Sequence, residues 1–194
     1  GLFGLAVLFG ALVAGWLGGG EATAWLSLDA DDDEPVRFWR YVVAALEEAV
    51  PDLATEVGRL LEAPAAPLDA VVATLINDLE TASHDVVLVL DDYHLIASAE
   101  VHRSVAFLLE HLPPQVRLVV VTRSDPPFPL AALRADGDLL EVRAADLRFT
   151  ADEAGDYLAG AMDLPLRRED VEVLESRTEG WIAALQLAAL SMQG

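Results

Sequence analysis

The sequence predicts an α/β fold in which a parallel sheet is flanked by helices and followed by a small helical subdomain. Two observations lead to this prediction. Short apolar runs alternate with helical patterns between residues 22 and 143, and helical stretches without an intervening strand follow from residue 150. With 194 residues and 54% hydrophobic content, the chain can bury one sizeable core. We therefore divide it into a glycine-rich apolar segment (1–20), an α/β core (21–149) and a helical subdomain (150–194).

The elements follow from local patterns. Acidic residues and Pro35 mark the start of the first long helix, and the sequence APAAP separates the next two. Thr150 and Glu153 have the spacing of a capping box at the start of the subdomain. Strands are predicted near 22–28, 86–91, 116–122 and 139–143, and helices from Pro35 to about 49 and near 52–62, 68–82, 101–112, 150–158, 167–177 and 179–192.

Composition excludes several functions. The chain carries 33 acidic and 12 basic residues, a net charge of −21, and every base is arginine. Because a segment with this much negative charge repels phosphate backbones, we expect that it does not bind nucleic acid directly. The absence of cysteine excludes thiolate chemistry and disulfides. The chain has only four histidines (His84, His94, His102 and His111), which does not favour a histidine metal cluster.

Residues 1–20 allow two interpretations. They carry no charge and are long enough to span a bilayer, but no basic residue occurs before Arg37. They are interpreted either as a membrane segment or as a buried strand, loop and helix of the sheet.

The stretch VVLVLDDYHLI places Asp91 and Asp92 at the end of a buried strand. Ligands of open α/β sheets bind at the carboxyl ends of strands. An apolar strand followed by two acids is the Walker B pattern of P-loop nucleotidases, and such carboxylates suit a hydrated divalent cation. The alternative is that the acids cap the next helix or end the strand in solvent.

The next strand, in VVVTRSDPP, ends at Thr122 and Arg123. An arginine at this place can reach the γ-phosphate of a nucleotide and stabilise its charge, as a sensor residue does. The alternative is a surface arginine paired with Asp125.

Six segments together resemble a known family: AWLSLD, PVRFWRYVVAAL, VVLVLDDYHLI, VVVTRSDPP, AADLRFTADEA and TEGWIAALQLAALS. In this order they are similar to the MalT-type large ATP-binding regulators of the LuxR family. The resemblance implies a P-loop-nucleotidase-like core of a STAND-class ATPase, followed in the family by a winged-helix lid, a sensor array and a helix-turn-helix. It implies ATP and Mg²⁺ as cofactors and a bacterial, cytoplasmic protein. Asp91 would direct the magnesium ion, Asp92 would orient water and Arg123 would act as the sensor beside Thr122 in the nucleotide site.

The sequence departs from this family at its start. The resemblance calls for a Walker A loop, G-x-x-x-x-G-K-[ST], but residues 1–20 contain no lysine, serine or threonine. We therefore predict a fragment or degenerate core of a transcription-regulating ATPase, a nucleotide-dependent switch with weak or no hydrolysis as written. One alternative is an enzyme, either an ATPase that still turns over through Asp91, Asp92 and Arg123 or a metal-dependent phosphohydrolase that uses Asp91, Asp92 and His94. The other is a membrane-anchored interaction module. Self-association is left open.

Overall fold

A computed structural model describes residues 21–63 and 67–193. In this part of the chain three strands, β1 (Ala22–Ser27), β2 (Val86–Asp91) and β3 (Val116–Val120), form a parallel sheet in the order β1-β2-β3. The predicted α/β class with a helix-flanked parallel sheet is thus confirmed. The chain divides into two compact units, the first ending at Pro129 and the second beginning at Leu130.

Helix α1 shows how the sequence builds the first unit. The Glu34 side chain accepts hydrogen bonds from the N–H groups of Val36 and Arg37, and Pro35 occupies the first turn, where its missing N–H is not needed. The buried residues of α1 then recur at helical spacing from Phe38 to Leu46. The helices of this unit are α1 (Pro35–Ala49), α2 (Thr55–Leu61), α3 (Leu68–Glu80) and α4 (Ala99–Glu110), with 3₁₀ turns at Ala30–Asp33 and Tyr93–Leu95.

The core of the first unit lies between the helices and one face of the sheet. In β2 the five residues Val86–Leu90 are buried, as expected for the central strand of a parallel sheet. Leu88 and Leu90 belong to the same buried cluster as Trp39, whose indole N–H donates to Ser104 Oγ at 3.0 Å. This hydrogen bond satisfies the one polar group that a buried tryptophan brings into a core.

The second unit contains α5 (Leu130–Asp136), α6 (Ala151–Gly160), α7 (Arg168–Thr178) and α8 (Ile182–Gln193). The predicted capping box at the start of α6 is confirmed: Thr150 Oγ1 accepts from the Glu153 N–H at 3.3 Å, and Glu153 accepts from the Thr150 N–H at 2.8 Å. Its buried cluster in the described part of the chain is small and consists of Ala154, Leu158, Val171, Leu185 and Ala189.

The LRF and EGW segments contact each other in this second unit. The Phe149 N–H donates to the Gly180 carbonyl at 2.8 Å, and Arg148 forms an ion pair with Glu179 at 3.3 Å. Gly180 has φ +70°, and a Cβ atom there would lie 2.4 Å from the Phe149 carbonyl oxygen. Only glycine fits at this position, because any side chain would collide with backbone. We call Arg148, Phe149, Glu179 and Gly180 the clasp.

The predicted strand at 139–143 is wrong. Leu140 and Val142 are exposed, 68% and 54%, and Glu141 pairs with Arg134 and Arg143 instead of lying in a ladder. Hydrogen bonds from these two arginines, of which Arg134 contributes more, lower the pKa of Glu141 to about 2. A segment that buries neither face and carries charges at alternate positions gains little from pairing as a strand.

Other expectations have mixed outcomes. The seven predicted helices are present, with bounds that differ by a few residues, whereas α5 was not predicted. The start of the helical subdomain at residue 150 stays a prediction. Residues 1–20, interpreted as a degenerate phosphate loop or a membrane segment, lie outside the described residues. Among the helices that the structure describes, none has the length and apolar character needed to cross a bilayer.

Candidate functional site

Asp91 and Asp92 lie at the carboxyl edge of the sheet, directly after its central strand. Asp91 is the last residue of β2 and stands opposite Ser27, the last residue of β1. The Leu28 N–H donates to the Asp91 carbonyl at 3.0 Å, so β1 and β2 stay paired up to the point where both strands end. The backbone of Asp91 is therefore fixed by the sheet itself.

Asp92 has an uncommon backbone conformation. Its φ and ψ are 56° and 32°, in the left-handed region that residues other than glycine enter at a cost of about 1 kcal/mol. The Asp92 N–H donates to Asp91 Oδ1 at 2.9 Å, and the Tyr93 N–H donates to the Val121 carbonyl at 3.1 Å. The reversal at Asp92 turns the chain out of the sheet immediately after the strand, and strained residues of this kind cluster at functional sites.

Asp91 and Asp92 are neighbouring carboxylates whose negative charges repel each other. Burial raises the pKa of Asp91, and the charge of Asp92 acts in the same direction, while the Asp92 N–H and His94 oppose the shift. His94 Nδ1 lies 3.8 Å from Asp92 Oδ1. A bound cation would relieve the repulsion between the acids. Such a pair is therefore suited to holding a positive ion.

Thr122 and Arg123 follow β3, at the same edge of the sheet. The Val121 N–H donates to the Leu90 carbonyl at 2.9 Å, which extends the pairing with β2 by one residue. Thr122 Oγ1 donates to the Ser124 carbonyl at 2.9 Å, and Arg123 is exposed. The structure thus brings the two predicted strand ends side by side. The roles of Asp91, Asp92, Thr122 and Arg123 stay predictions.

A magnesium ion fits the donor set at this edge. Oxygen ligands from one or two carboxylates, completed by water, are what Mg²⁺ prefers. One oxygen of Asp91 accepts the Asp92 N–H, and the side chain has a second oxygen for a cation. Within residues 21–63 and 67–193 no three His, Cys, Asp or Glu side chains are grouped as ligands of one metal ion. The arrangement therefore suits a hydrated cation better than one enclosed by protein ligands.

Asp33, Tyr93 and His102 make contacts in and around the segment that follows the pair, and the sequence did not predict these contacts. Asp33 Oδ1 accepts hydrogen bonds from the N–H groups of Ala97 at 2.7 Å and Ser98 at 2.6 Å. The buried Tyr93 places its hydroxyl 2.9 Å from His102 Nδ1. Local spacing could not reveal these contacts, since the partners of Asp33 lie 64 and 65 residues along the chain.

A separate concave site lies on the first unit. It is a pocket of about 200 Å³ lined by Leu26, Ser27, Asp29, Asp32, Arg37 and Tyr41. Within it Arg37 faces Asp32 at 3.5 Å and lies over the Tyr41 ring at 5.5 Å. Asp91 and Asp92 do not line this pocket, so the pocket and the candidate site at the strand ends are different places on the first unit.

The fold is that of a parallel α/β protein, consistent with the P-loop-like class, and comparison with known proteins makes the relationship specific. The chain is 36% identical over 181 residues to the HTH-type transcriptional regulator MalT of Serratia proteamaculans, an overlap of 93% of this chain and 20% of that protein. It is 35% identical over 176 residues to the serine/threonine-protein kinase PknK of Mycobacterium tuberculosis, covering 90% of this chain and 16% of the kinase. MalT of Yersinia enterocolitica is 35% identical over 181 residues.

The resemblance to MalT-type regulators is thereby confirmed: the chain is related to one segment of these proteins. It spans about a fifth of the length of the MalT relatives. No protein-family model matches the chain.

Proposed function

We propose that this chain is the nucleotide-responsive segment of a cytoplasmic transcription regulator, a switch that binds ATP weakly and hydrolyses it negligibly. The observation that carries the proposal is the Asp91–Asp92 pair at the end of the central strand, with Thr122 and Arg123 beside it. This is where open parallel sheets hold ligands.

The relatives support a switch module rather than a complete activity. One is named a transcriptional regulator and another a protein kinase, yet both share this one segment. Neither named activity is common to the two proteins. A segment found in both is explained most simply as a unit that transmits a state to whatever domain accompanies it.

In this proposal each strand-end residue has a separate task. Asp91 directs a hydrated magnesium ion, and Asp92 orients water beside it. Arg123 contacts the terminal phosphate, with Thr122 alongside. When bound, magnesium ATP would supply the charge that these groups recognise and the bond whose cleavage resets a switch. The ends of β2 and β3 lie next to each other at one edge of the sheet, which supports a shared site for the four residues.

The weak chemistry follows from what the sequence lacks. The whole chain has no lysine, and residues 1–20 have no serine or threonine. The β- and γ-phosphates then lose a direct cation, and magnesium loses a hydroxyl ligand. Each loss costs about 2–4 kcal/mol of phosphate binding or transition-state stabilisation. Two such losses leave binding weak and turnover negligible.

Calorimetry with magnesium ATP tests this proposal. We expect millimolar or weaker binding by the parent chain, and a further loss in Arg123→Ala but not in Arg103→Ala, which removes the same charge from an exposed position of α4. The Asp91→Asn, Asp92→Asn double variant relieves the repulsion of phosphate. If the parent binds with micromolar affinity and the double variant not at all, the chain has a working nucleotide site without a Walker A loop. The proposal of a weak switch would then be wrong.

We propose further that this segment does not contact DNA itself. Its net charge of −21 opposes the phosphate backbone at any physiological salt concentration. Fluorescence anisotropy with a labelled duplex at low salt should show no binding. Saturable binding in the micromolar range would contradict the proposal.

We do not extend the proposal to a metal-dependent phosphohydrolase. His94 lies beside Asp92, but in the described part of the chain it does not complete a group of three metal ligands. The membrane-anchored alternative depends on residues 1–20 and is decided by whether the purified chain needs detergent.

A further inference from the structure

We propose that Asp33 is a positioning residue for the acid pair, because it fixes the far end of the loop that carries Asp92 and His94. This loop, residues 92–98, joins β2 to α4. The cation that the acid pair would bind is taken from the proposed function. The contacts of Asp33 with the loop do not depend on that proposal.

Asp33 belongs to a different part of the first unit from the loop that it holds. It is the last residue of the 3₁₀ turn that follows β1. At this turn the Asp29 side chain accepts from the Asp31 N–H at 2.8 Å, and the Asp32 side chain accepts from the Asp29 N–H at 2.9 Å. Asp33 instead accepts the N–H groups of Ala97 and Ser98 with a single carboxylate oxygen. The turn after β1 is thereby joined to the loop after β2.

The 92–98 loop is fixed at both of its ends. At the start, the Tyr93 N–H donates to the Val121 carbonyl and the Tyr93 ring packs against Phe128 at 5.2 Å. At the end, Asp33 holds the backbone, and the Ser98 side chain accepts from the Val101 N–H to begin α4. The constraint from Asp33 is charge-assisted, which makes it stronger than a neutral hydrogen bond.

The middle of the loop depends on these two attachments. The Leu95 N–H donates to the Asp92 carbonyl at 2.9 Å, and the Ile96 N–H to the Tyr93 carbonyl at 3.1 Å. This tight turn is what places His94 beside Asp92. A left-handed residue other than glycine persists only where its surroundings over-determine it. If Ala97 and Ser98 lose their acceptor, Asp92 is free to leave the left-handed region and move away from His94.

Asp33 also acts electrostatically on His102, a residue of α4. Burial lowers the pKa of His102, and the negative charge of Asp33 opposes this shift. His102 is the hydrogen-bond partner of the Tyr93 hydroxyl. The charge of Asp33 thus acts on the hydrogen-bond partner of Tyr93, while its hydrogen bonds hold residues 97 and 98.

The test compares Asp33→Ala with Asp33→Asn, which keeps an acceptor oxygen, and with Asp31→Ala. Asp31 lies in the same turn, is exposed and carries the same charge, so it is a matched control. The first readout is the imidazole NMR spectrum, which contains only four histidines. In the parent and in Asp31→Ala, adding Asp92→Asn should shift the His94 resonances. In Asp33→Ala this response should fall to less than half, and Asp33→Asn should restore it.

The second readout is Mn²⁺ affinity, measured by electron paramagnetic resonance with manganese in place of magnesium. Residues that orient metal ligands typically change affinity by about tenfold or more. We expect a loss of about tenfold in Asp33→Ala, partial recovery in Asp33→Asn and a change within about twofold in Asp31→Ala. Hydrogen exchange of the β2 amides is measured on each variant, so that only folded protein is compared.

The two ideas fail in different ways. If Asp33→Ala matches Asp31→Ala in both readouts, Asp33 does not position the loop and the inference is overturned. If the parent and the Asp91→Asn, Asp92→Asn variant bind Mn²⁺ equally, the acid pair is not the cation site and the proposed function fails. In that case the His94 comparison still decides the role of Asp33.

Discussion

In the first unit the buried side chains form one large cluster around β2, whereas in the second unit the described buried cluster has five members. Two of those five are alanines, which bury little area. The second unit compensates with specific backbone contacts: the capping box at Thr150 and the clasp between Phe149 and Gly180. A large apolar core tolerates the loss of single contacts, while a small helical unit depends on positions where one residue type fits.

The largest effect that we expect is from Gly180→Ala. The new Cβ would lie 2.4 Å from the Phe149 carbonyl oxygen in a residue with φ +70°. The left-handed conformation and the backbone collision together should cost about 3–5 kcal/mol and unfold the second unit alone. Hydrogen exchange of residues 150–193 measures this, with β2 amides as the internal reference.

Gly137→Ala is the matched control. Gly137 also has positive φ, +82°, but a Cβ atom there meets nothing within 4 Å. The Gly137→Ala substitution should lower the free energy of unfolding by only about 1 kcal/mol. Equal effects of the two substitutions would mean that the clasp is not a close contact.

The next effect concerns the buried clusters themselves. Leu158→Ala in the second unit and Leu108→Ala in the first both truncate fully buried leucines. Each should cost about 2–5 kcal/mol. We expect Leu158→Ala to abolish exchange protection throughout α6–α8, whereas Leu108→Ala should leave the first unit folded at 25 °C. If Leu108→Ala unfolds the first unit at 25 °C, the larger cluster does not make that unit more tolerant of such a truncation than the second unit.

Thr150→Ala sharpens the account of the second unit. It removes the hydroxyl that caps α6 and the partner of the Glu153 carboxylate. The expected cost is about 1 kcal/mol, seen as faster exchange in the first turn of α6. Thr150→Ser keeps the hydroxyl and should behave as the parent does. A loss as large in Thr150→Ser would show that the methyl group matters and the cap does not.

The smallest effect that we expect is on the stability of the first unit and concerns Asp91 in the candidate site. Because burial raises the pKa of Asp91 above 3.8, its contribution to stability is present below that pH and lost as the pH rises through the folded-state value. Asp91→Asn should therefore raise the melting temperature at pH 7 by about 1–3 °C, and this gain should disappear as the pH falls to 3.8 and below. Asp31→Asn subtracts the general effect of removing one negative charge. An Asp91→Asn variant that melts below the parent at pH 7 would contradict this assignment.

The sequence predicted well wherever the physical cause is local. The buried run of β2 and the Thr150–Glu153 spacing each carry their own signal, and both predictions are confirmed. The strand at 139–143 was predicted wrongly because an apolar pattern does not reveal whether a partner strand is available. The apolar neighbours of Trp181 predict a core position for it, but the residue is 40% exposed.

The candidate site shows the same division. Asp91 and Asp92 could be found from the strand that precedes them, and parallel order placed Thr122 and Arg123 at the same edge. Asp33 could not be found, because its carboxylate acts on amides 64 and 65 residues away. The sequence indicates only that the acidic residues before Pro35 mark the start of a helix, and of these Glu34 caps α1.

The parallel order of the sheet also determines when the edge can form during synthesis. Ala22 pairs with Val86, and Val86 pairs with Val116, so the first pairing closes a loop about twice as long as the second. Among the described strands β1 is made before β2, and the two can pair only after β2 has left the exit tunnel. The acid pair reaches its final surroundings only after residues 121–128 follow. A nascent chain of this protein therefore gains its candidate site at the end of the first unit's synthesis, which makes the site a late reporter of correct folding.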